Sequence, residues 1–243
     1  MADEELRCIP RSLVISLARC HSYGDGYRCR CGCSSGKAQV VFFKSMMKLI
    51  LEQHFDKANA LEFQWPLWDY EFSHTDCVPL TYDFMHEMCR LLLIRKLSKS
   101  LRPIKILRIK GLLLDFEDVG MPIDSYRKII GEAADSLQEL HISATPMISH
   151  DQPVIDSYAA PENMWLSNPF THLRSLSLGL DTAWGPVPLF QTKHLQFPVL
   201  ETLYLHKYTL LYQSQLAWIL SICNLKSLIL DKCSIPWLMA VTL

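Results

Sequence analysis

The stretch CHSYGDGYRCRCGC places Cys29, Cys31 and Cys33 at alternate positions, with Cys20 and His21 a few residues upstream. Thiolates and an imidazole are what zinc accepts in a tetrahedral site, and Gly24, Gly26 and Gly32 would let a loop of residues 20–36 wrap around an ion. Cys20, Cys29, Cys31 and Cys33 are the candidate metal ligands. The spacing argues the other way: structural zinc sites pair their thiols as C-x2-C, and a C-x-C-x-C run has no matching second pair. The competing reading is a loop with exposed thiols between a strand and a helix. No cofactor is therefore expected, with zinc as the alternative.

A second chemical feature is the run from Arg90 to Lys110, which holds Arg90, Arg95, Lys96, Lys99, Arg102, Lys105, Arg108 and Lys110 and no acid. Such a block could meet nucleic-acid phosphates or an acidic partner. No aromatic lies inside it to stack a base, and Asp83, Glu87, Asp115, Glu117 and Asp118 flank it. The expectation is a solvated helix face followed by a strand, with no nucleic acid bound. Catalytic signatures fare no better. HEMCR (86–90) has Arg90 where H-E-x-x-H needs its second histidine, and SYGDGY (22–27) lacks the strand-to-helix setting of a phosphate loop. No G-x-x-x-x-G-K-[ST], G-x-G-x-x-G or G-x-S-x-G occurs, so an enzyme is not expected.

Those residues need a scaffold, and the composition permits a large one. The 243 residues are 49% hydrophobic and 20% charged, with 24 Lys and Arg against 25 Asp and Glu, a balance that demands neither a nucleic acid nor a membrane as partner. MADEELR is acidic where a secretory signal would be basic, and no apolar run approaches the roughly 18 residues of a membrane span. The nine cysteines, odd in number and irregular in spacing, suit free thiols in a reducing compartment. The expectation is a soluble intracellular protein, cytoplasmic or nuclear, without structural disulfides.

The organising pattern is L-x-x-L-x-L. It recurs at Ile104/Leu107/Ile109, Leu137/Leu140/Ile142, Leu173/Leu176/Leu178, Leu200/Leu203/Leu205 and Leu225/Leu228/Leu230, with weaker matches at Ala58/Leu61/Phe63 and Leu13/Ile15. Successive full matches start 33, 36, 27 and 25 residues apart, an irregular period that approaches leucine-rich repeat length at the carboxyl end. Between them, residues 40–55, 81–100, 124–136 and 212–223 carry apolar side chains at helical spacing, in the last case Leu216, Ile219, Leu220 and Cys223. One strand and one helix cannot bury an apolar face alone, whereas stacked units share a continuous core. The pattern predicts an α/β fold: a single irregular leucine-rich repeat solenoid over residues 1–243, seven strands at most, with parallel strands on the concave side and helices on the convex side.

Because side chains alternate along a strand, the residue between the last two template positions and the one after them should face outward. These are Val14 and Ser16, Glu62 and Gln64, Arg108 and Lys110, His141 and Ser143, Ser177 and Gly179, Tyr204 and His206, and Ile229 and Asp231. Glu62, Gln64, Arg108, Lys110, His141, Ser143, Tyr204, His206 and Asp231 make a mixed polar row of the kind that binds a protein partner. The competing reading is an idle, solvated sheet face. Two aromatic stretches are expected to be loops: FQWPLWDYEF (63–72), filling a small core of its own, and LDTAWGPVPLF (180–190), a rigid insert after the strand.

The stretches FPVLETLYL (197–205), LAWILSICNLKSLILDKCSI (216–235) and NPFTHLRSLSLGL (168–180), with GKAQVVFFKSMMKLI (36–50) and LEFQWPLWDYE (61–71), resemble the leucine-rich repeat region of fungal F-box-like proteins. That resemblance implies a substrate receptor of a ubiquitin ligase, in which an F-box docks a Skp-type adaptor and the repeats hold the target. The chain departs from the pattern at both ends. No recognisable F-box precedes the first strand, which leaves the adaptor in question and keeps open a free-standing interaction protein. DKCSIPWLMAVTL stands where a polar cap would be expected, so either the last rung is exposed or the chain is a fragment.

Overall fold

The computed structural model describes residues 12–16, 45, 58–64, 88, 92, 102–113, 130–132, 134–145, 166, 170–185 and 195–235. Seven strands lie side by side in one sheet, in chain order: β1 (Ser12–Ser16), β2 (Ala60–Gln64), β3 (Ile106–Leu113), β4 (Glu139–Thr145), β5 (Ser175–Trp184), β6 (Thr202–Tyr208) and β7 (Ser227–Asp231). Every neighbouring pair is parallel. A parallel neighbour requires the chain to return over the sheet before each new strand, which is why the template positions sit so far apart.

The register follows the template. Leu61, Leu107, Leu140, Leu176 and Leu203 align across β2 to β6, and Phe63, Ile109, Ile142, Leu178 and Leu205 form the next row. Both rows are buried and belong to one hydrophobic cluster. The first template residues, Ala58, Ile104, Leu137, Leu173 and Leu200, are buried too but lie just before their strands. There the backbone repeats a single device: the carbonyl of Asn59 accepts the N–H groups of Lys105 and Ile106, that of Lys105 those of Gln138 and Glu139, and Gln138, Arg174 and Glu201 continue the series. Each rung thus fixes the start of the next.

Helix α1 (Gln213–Leu220) fills most of the predicted 212–223 segment, and Ser45, Met88, Leu92 and Ile130, inside the other predicted helices, have helical backbone. Gln215 caps α1 from within, its Oε1 accepting the N–H groups of Leu211 and Tyr212 at 2.8 Å each. The buried face of α1 is turned from the one expected: Trp218 and Ile219 go into the core while Leu216 and Leu220 are exposed. The indole of Trp218 sits edge-on to Phe197 with ring centroids 6.4 Å apart, and this larger apolar surface decides which side of the helix turns inward.

Two further expectations are corrected. Trp184 is no loop residue: β5 runs through to it, and its ring is buried edge-on against Tyr208, centroids 4.6 Å apart. Gly185 follows with φ +118°, and a Cβ there would lie 2.7 Å from the Thr209 carbonyl oxygen, so the strand ends at a position only glycine fills without strain. At the other, Leu228 and Leu230, template positions expected in the core, are 42% and 38% exposed although their β6 counterparts Leu203 and Leu205 are at 0%; this is the exposed last rung that the sequence leaves open. Among the described residues no strand covers the far edge of β7, so no further described rung shields these template leucines. Pro186, Pro188 and the aromatic stretch beyond Gln64 lie outside the described residues; Phe63 itself is core. Among the described residues no helix is long and apolar enough to cross a membrane.

Candidate binding face of the sheet

The residues expected to face outward align in two rows across all seven strands. Val14, Glu62, Arg108, His141, Ser177, Tyr204 and Ile229 are in register, as are Ser16, Gln64, Lys110, Ser143, Gly179, His206 and Asp231; the register shift in β3 falls just beyond Lys110. Burial alternates with them: β6 has Leu203 and Leu205 buried while Tyr204 and His206 keep contact with solvent. Alternation of this kind places the rows on the face opposite the core.

Two polar clusters occupy that face. In the first, Glu62 in β2 accepts from Lys110 Nζ at 2.6 Å and from Gln64 Nε2 at 2.5 Å. Burial pushes the Glu62 carboxyl up, but the hydrogen bonds from Lys110 and Gln64 and the charges of Lys110 and Arg108 outweigh it and leave the pKa below its ordinary value. Glu139 stands between Arg108, 3.7 Å away, and His141 Nε2, 3.5 Å away. His141 Nε2 is shielded from water and makes no hydrogen bond, so Glu139 is its electrostatic neighbour rather than its acceptor. Burial lowers the His141 pKa; the nearby Glu139 carboxylate works against this, the Arg108 charge works with it, and the net shift is downward.

That shift has a consequence for stability. A histidine whose folded pKa lies below its ordinary 6.5 takes up its proton first in the unfolded chain, so the unfolded state gains as pH falls through 6.5 toward the lower folded value. His141 stabilises the fold fully above that window and loses this contribution within it. Thermal melts of the wild type and of His141→Gln at stepped pH should show a fall in midpoint between neutral and mildly acidic pH that the variant lacks in part. Equal slopes would mean that the imidazole is hydrated in both states.

The second cluster lies on β6 and β7. Asp231 Oδ2 accepts the Tyr204 hydroxyl at 2.6 Å and faces His206 Nδ1 at 2.7 Å. The hydrogen bonds from Tyr204 and then His206 hold the Asp231 carboxyl below its ordinary pKa, and the same contact raises that of the Tyr204 phenol. Gly179 in β5 leaves room for this arrangement, because a Cβ there would stand 3.0 Å from that of His206. On the core side the Trp184 indole donates to the His206 carbonyl at 2.7 Å. Immediately after His206 and Asp231, Lys207 and Lys232 take φ of 55° and 53°, left-handed positions that cost a lysine roughly 1–2 kcal/mol each. Cys233 then turns its thiol to the Leu205 carbonyl at 3.2 Å, and burial raises its pKa.

Of the predicted face residues, the structure joins Glu62, Gln64, Arg108 and Lys110 around β2 and β3 and Tyr204, His206 and Asp231 around β6 and β7. Ser143 stands between them, in register with Lys110 and Gly179. The template reading misses Glu139 because it counts as outward only the residue between the last two template positions and the one after them; Glu139 sits inside the template, two residues before His141, and so on the same face. Cys20, Cys29, Cys31 and Cys33 lie outside the described residues. Among the described residues no three His, Cys, Asp or Glu side chains are grouped to hold a metal, and Cys223 and Cys233 are free thiols. Of the basic run, Lys110 and Arg108 are drawn into the ion pairs with Glu62 and Glu139. Compared with protein-family models, curated proteins and solved structures, the chain matches none.

Proposed function

We propose that the chain is a non-catalytic protein-binding module, an irregular leucine-rich repeat solenoid that holds a protein partner on the outward face of its sheet. One observation carries this reading: seven parallel strands in chain order align two rows of polar and aromatic side chains on one face while the template leucines fill the other. A repeated backbone with a varied outward row is how stacked repeats build an extended recognition surface. The resemblance to F-box-like repeat proteins supports the more specific proposal that the partner is the target of a ubiquitin ligase, with a Skp-type adaptor as a second partner. The alternative, a free-standing interaction protein, needs no adaptor.

Affinity purification of the tagged chain from its native cells, followed by mass spectrometry, separates the two. A Skp-type adaptor in near-equal amount supports the ligase role, and other partners without it support the alternative. The face itself is tested by Tyr204→Ala with His206→Ala. Aromatic and charge-bonded residues at the centre of an interface are worth about 2 kcal/mol or more, so the double variant should bind a recovered partner at least about 30-fold more weakly. Its thermal midpoint should move little, because both side chains project from the core. Unchanged affinity in a folded double variant would remove the β6–β7 end from the binding face.

A further inference from the structure

We propose that Asp231, with Tyr204, His206 and Ile229, anchors a basic side chain of the partner, an arginine above all. The inference rests on reading the outward face as the partner surface and names what one end of it recognises. Asp231 Oδ2 is held from two sides, by the Tyr204 hydroxyl and by His206 Nδ1. The other carboxylate oxygen has no partner among the described residues, and the side chain keeps 40% of its exposure. A carboxylate fixed by two donors and open at its second oxygen is already oriented to receive a cation.

The surroundings match an arginine's other parts. Tyr204 and Ile229 stand in register on neighbouring strands, a phenol ring and an exposed aliphatic side chain that offer a shelf for the methylene stem and a π-face for the guanidinium. When neutral His206 donates from Nδ1 to Asp231, its Nε2 is an acceptor, a second point for a planar, five-donor group. Charge complementarity separates this carboxylate from others along the sheet. Glu62 has Lys110 at 2.6 Å, Glu139 has Arg108 at 3.7 Å, and Glu201 has Lys226 at 3.1 Å. Asp231 instead has a phenol and an imidazole. Lys232, next in the chain, adds its charge to the surroundings of Asp231, but no ion pair joins the two. The place that a lysine or arginine of this chain fills at the other three sites is left for one from outside.

The test titrates the full-length chain with N-acetyl-arginine amide and, separately, with N-acetyl-citrulline amide, its neutral isostere, following the His206 imidazole and Tyr204 ring resonances by NMR. The arginine compound should shift both saturably, the citrulline compound should bind at least about tenfold more weakly, and Asp231→Asn should abolish the difference. Equal binding of the two compounds, or an arginine affinity within twofold of wild type in folded Asp231→Asn, overturns the proposal. If Asp231→Asn fails to fold, Tyr204→Phe takes its place: it keeps the ring, frees the carboxylate, and should weaken the arginine compound severalfold, whereas an unchanged affinity overturns the proposal. A recovered partner separates the two levels of inference. Should it tolerate Asp231→Asn but not Arg108→Ala with His141→Ala, the face stands and the anchor falls; tolerance of both sets means the face itself is wrong.

Discussion

Leu176→Asp should abolish the cooperative thermal transition of the whole chain. Leu176 is fully buried in the middle of β5, in register with Leu140 on one side and Leu203 on the other, both equally inaccessible. A carboxylate placed there meets only hydrocarbon. It must either stay ionised without hydration or take up a proton well above its ordinary pKa, and each route is costly. Truncation of such a leucine to alanine alone costs about 2–5 kcal/mol, against a total stability of about 5–15 kcal/mol for an ordinary domain. The added desolvation is enough to consume the remainder. The comparison that isolates the cause is Leu228→Asp, the same template position in β7. There the side chain is 42% exposed, so the new carboxylate can reach water and the expected cost is about 1 kcal/mol. Circular dichroism melts of the two variants read both outcomes. A wild-type melt for Leu176→Asp would mean that the aligned leucines are not the core; loss of the transition in both would mean that β7 is as deeply packed as β5.

The contrast between those leucines shows where a sequence stops being informative. Alternation and the L-x-x-L-x-L spacing report which way each side chain points relative to its own strand, and on that basis the register of β2 to β6 and both outward rows follow directly. They do not report what lies beside the strand. Leu205 and Leu230 occupy equivalent template positions, yet one is sealed between two rungs and the other is open at the edge. The same limit explains the rotated face of α1: residues 216 to 223 are apolar on several sides, and the contact of Trp218 with Phe197 is tertiary packing that the spacing does not report. Trp184 was hidden for a local reason. Trp-Gly-Pro reads as a turn, and Gly185 does take a positive φ, but the indole before it is buried in the core.

The candidate site was half legible in the same sense. Stacking the template copies puts His206 beside Asp231 and Tyr204 beside Ile229, so the neighbours were available from alignment of the columns. The bond from the Tyr204 hydroxyl to Asp231 crosses from one row to the next, and no column predicts it. Glu62 and Lys110 are likewise one row apart on adjacent strands. Ion pairs that keep one partner in solvent, as Lys110 is here, contribute little to stability. Their effect is to settle which charges remain available: Lys110 and Arg108 are partly answered within the chain, whereas Asp231 is oriented by Tyr204 and His206 and left facing outward. The physical character of the face therefore comes from diagonal contacts that a one-dimensional pattern omits.

Trp184→Ala carries the other large expected effect, a loss of about 3–5 kcal/mol, because the indole is buried and stacked edge-on against Tyr208, itself fully buried. Part of that loss is packing and part is the hydrogen bond from Nε1 to the His206 carbonyl. Trp184→Phe divides them. Phenylalanine keeps most of the ring contact but leaves the carbonyl without its donor, which costs about 1–3 kcal/mol where water cannot replace it. The two variants therefore fall in order, Trp184→Phe milder than Trp184→Ala, in chemical denaturation. The bond also holds the backbone at the residue whose imidazole meets Asp231 on the opposite face, just before the left-handed turn at Lys207. If it positions His206, folded Trp184→Phe should bind a recovered partner more weakly than its stability loss alone would suggest, with altered His206 resonances. Equal denaturation of Trp184→Phe and the wild type, with unaltered resonances, would mean that the β6 backbone keeps its course without the indole and that the two faces of the strand are energetically independent at this rung.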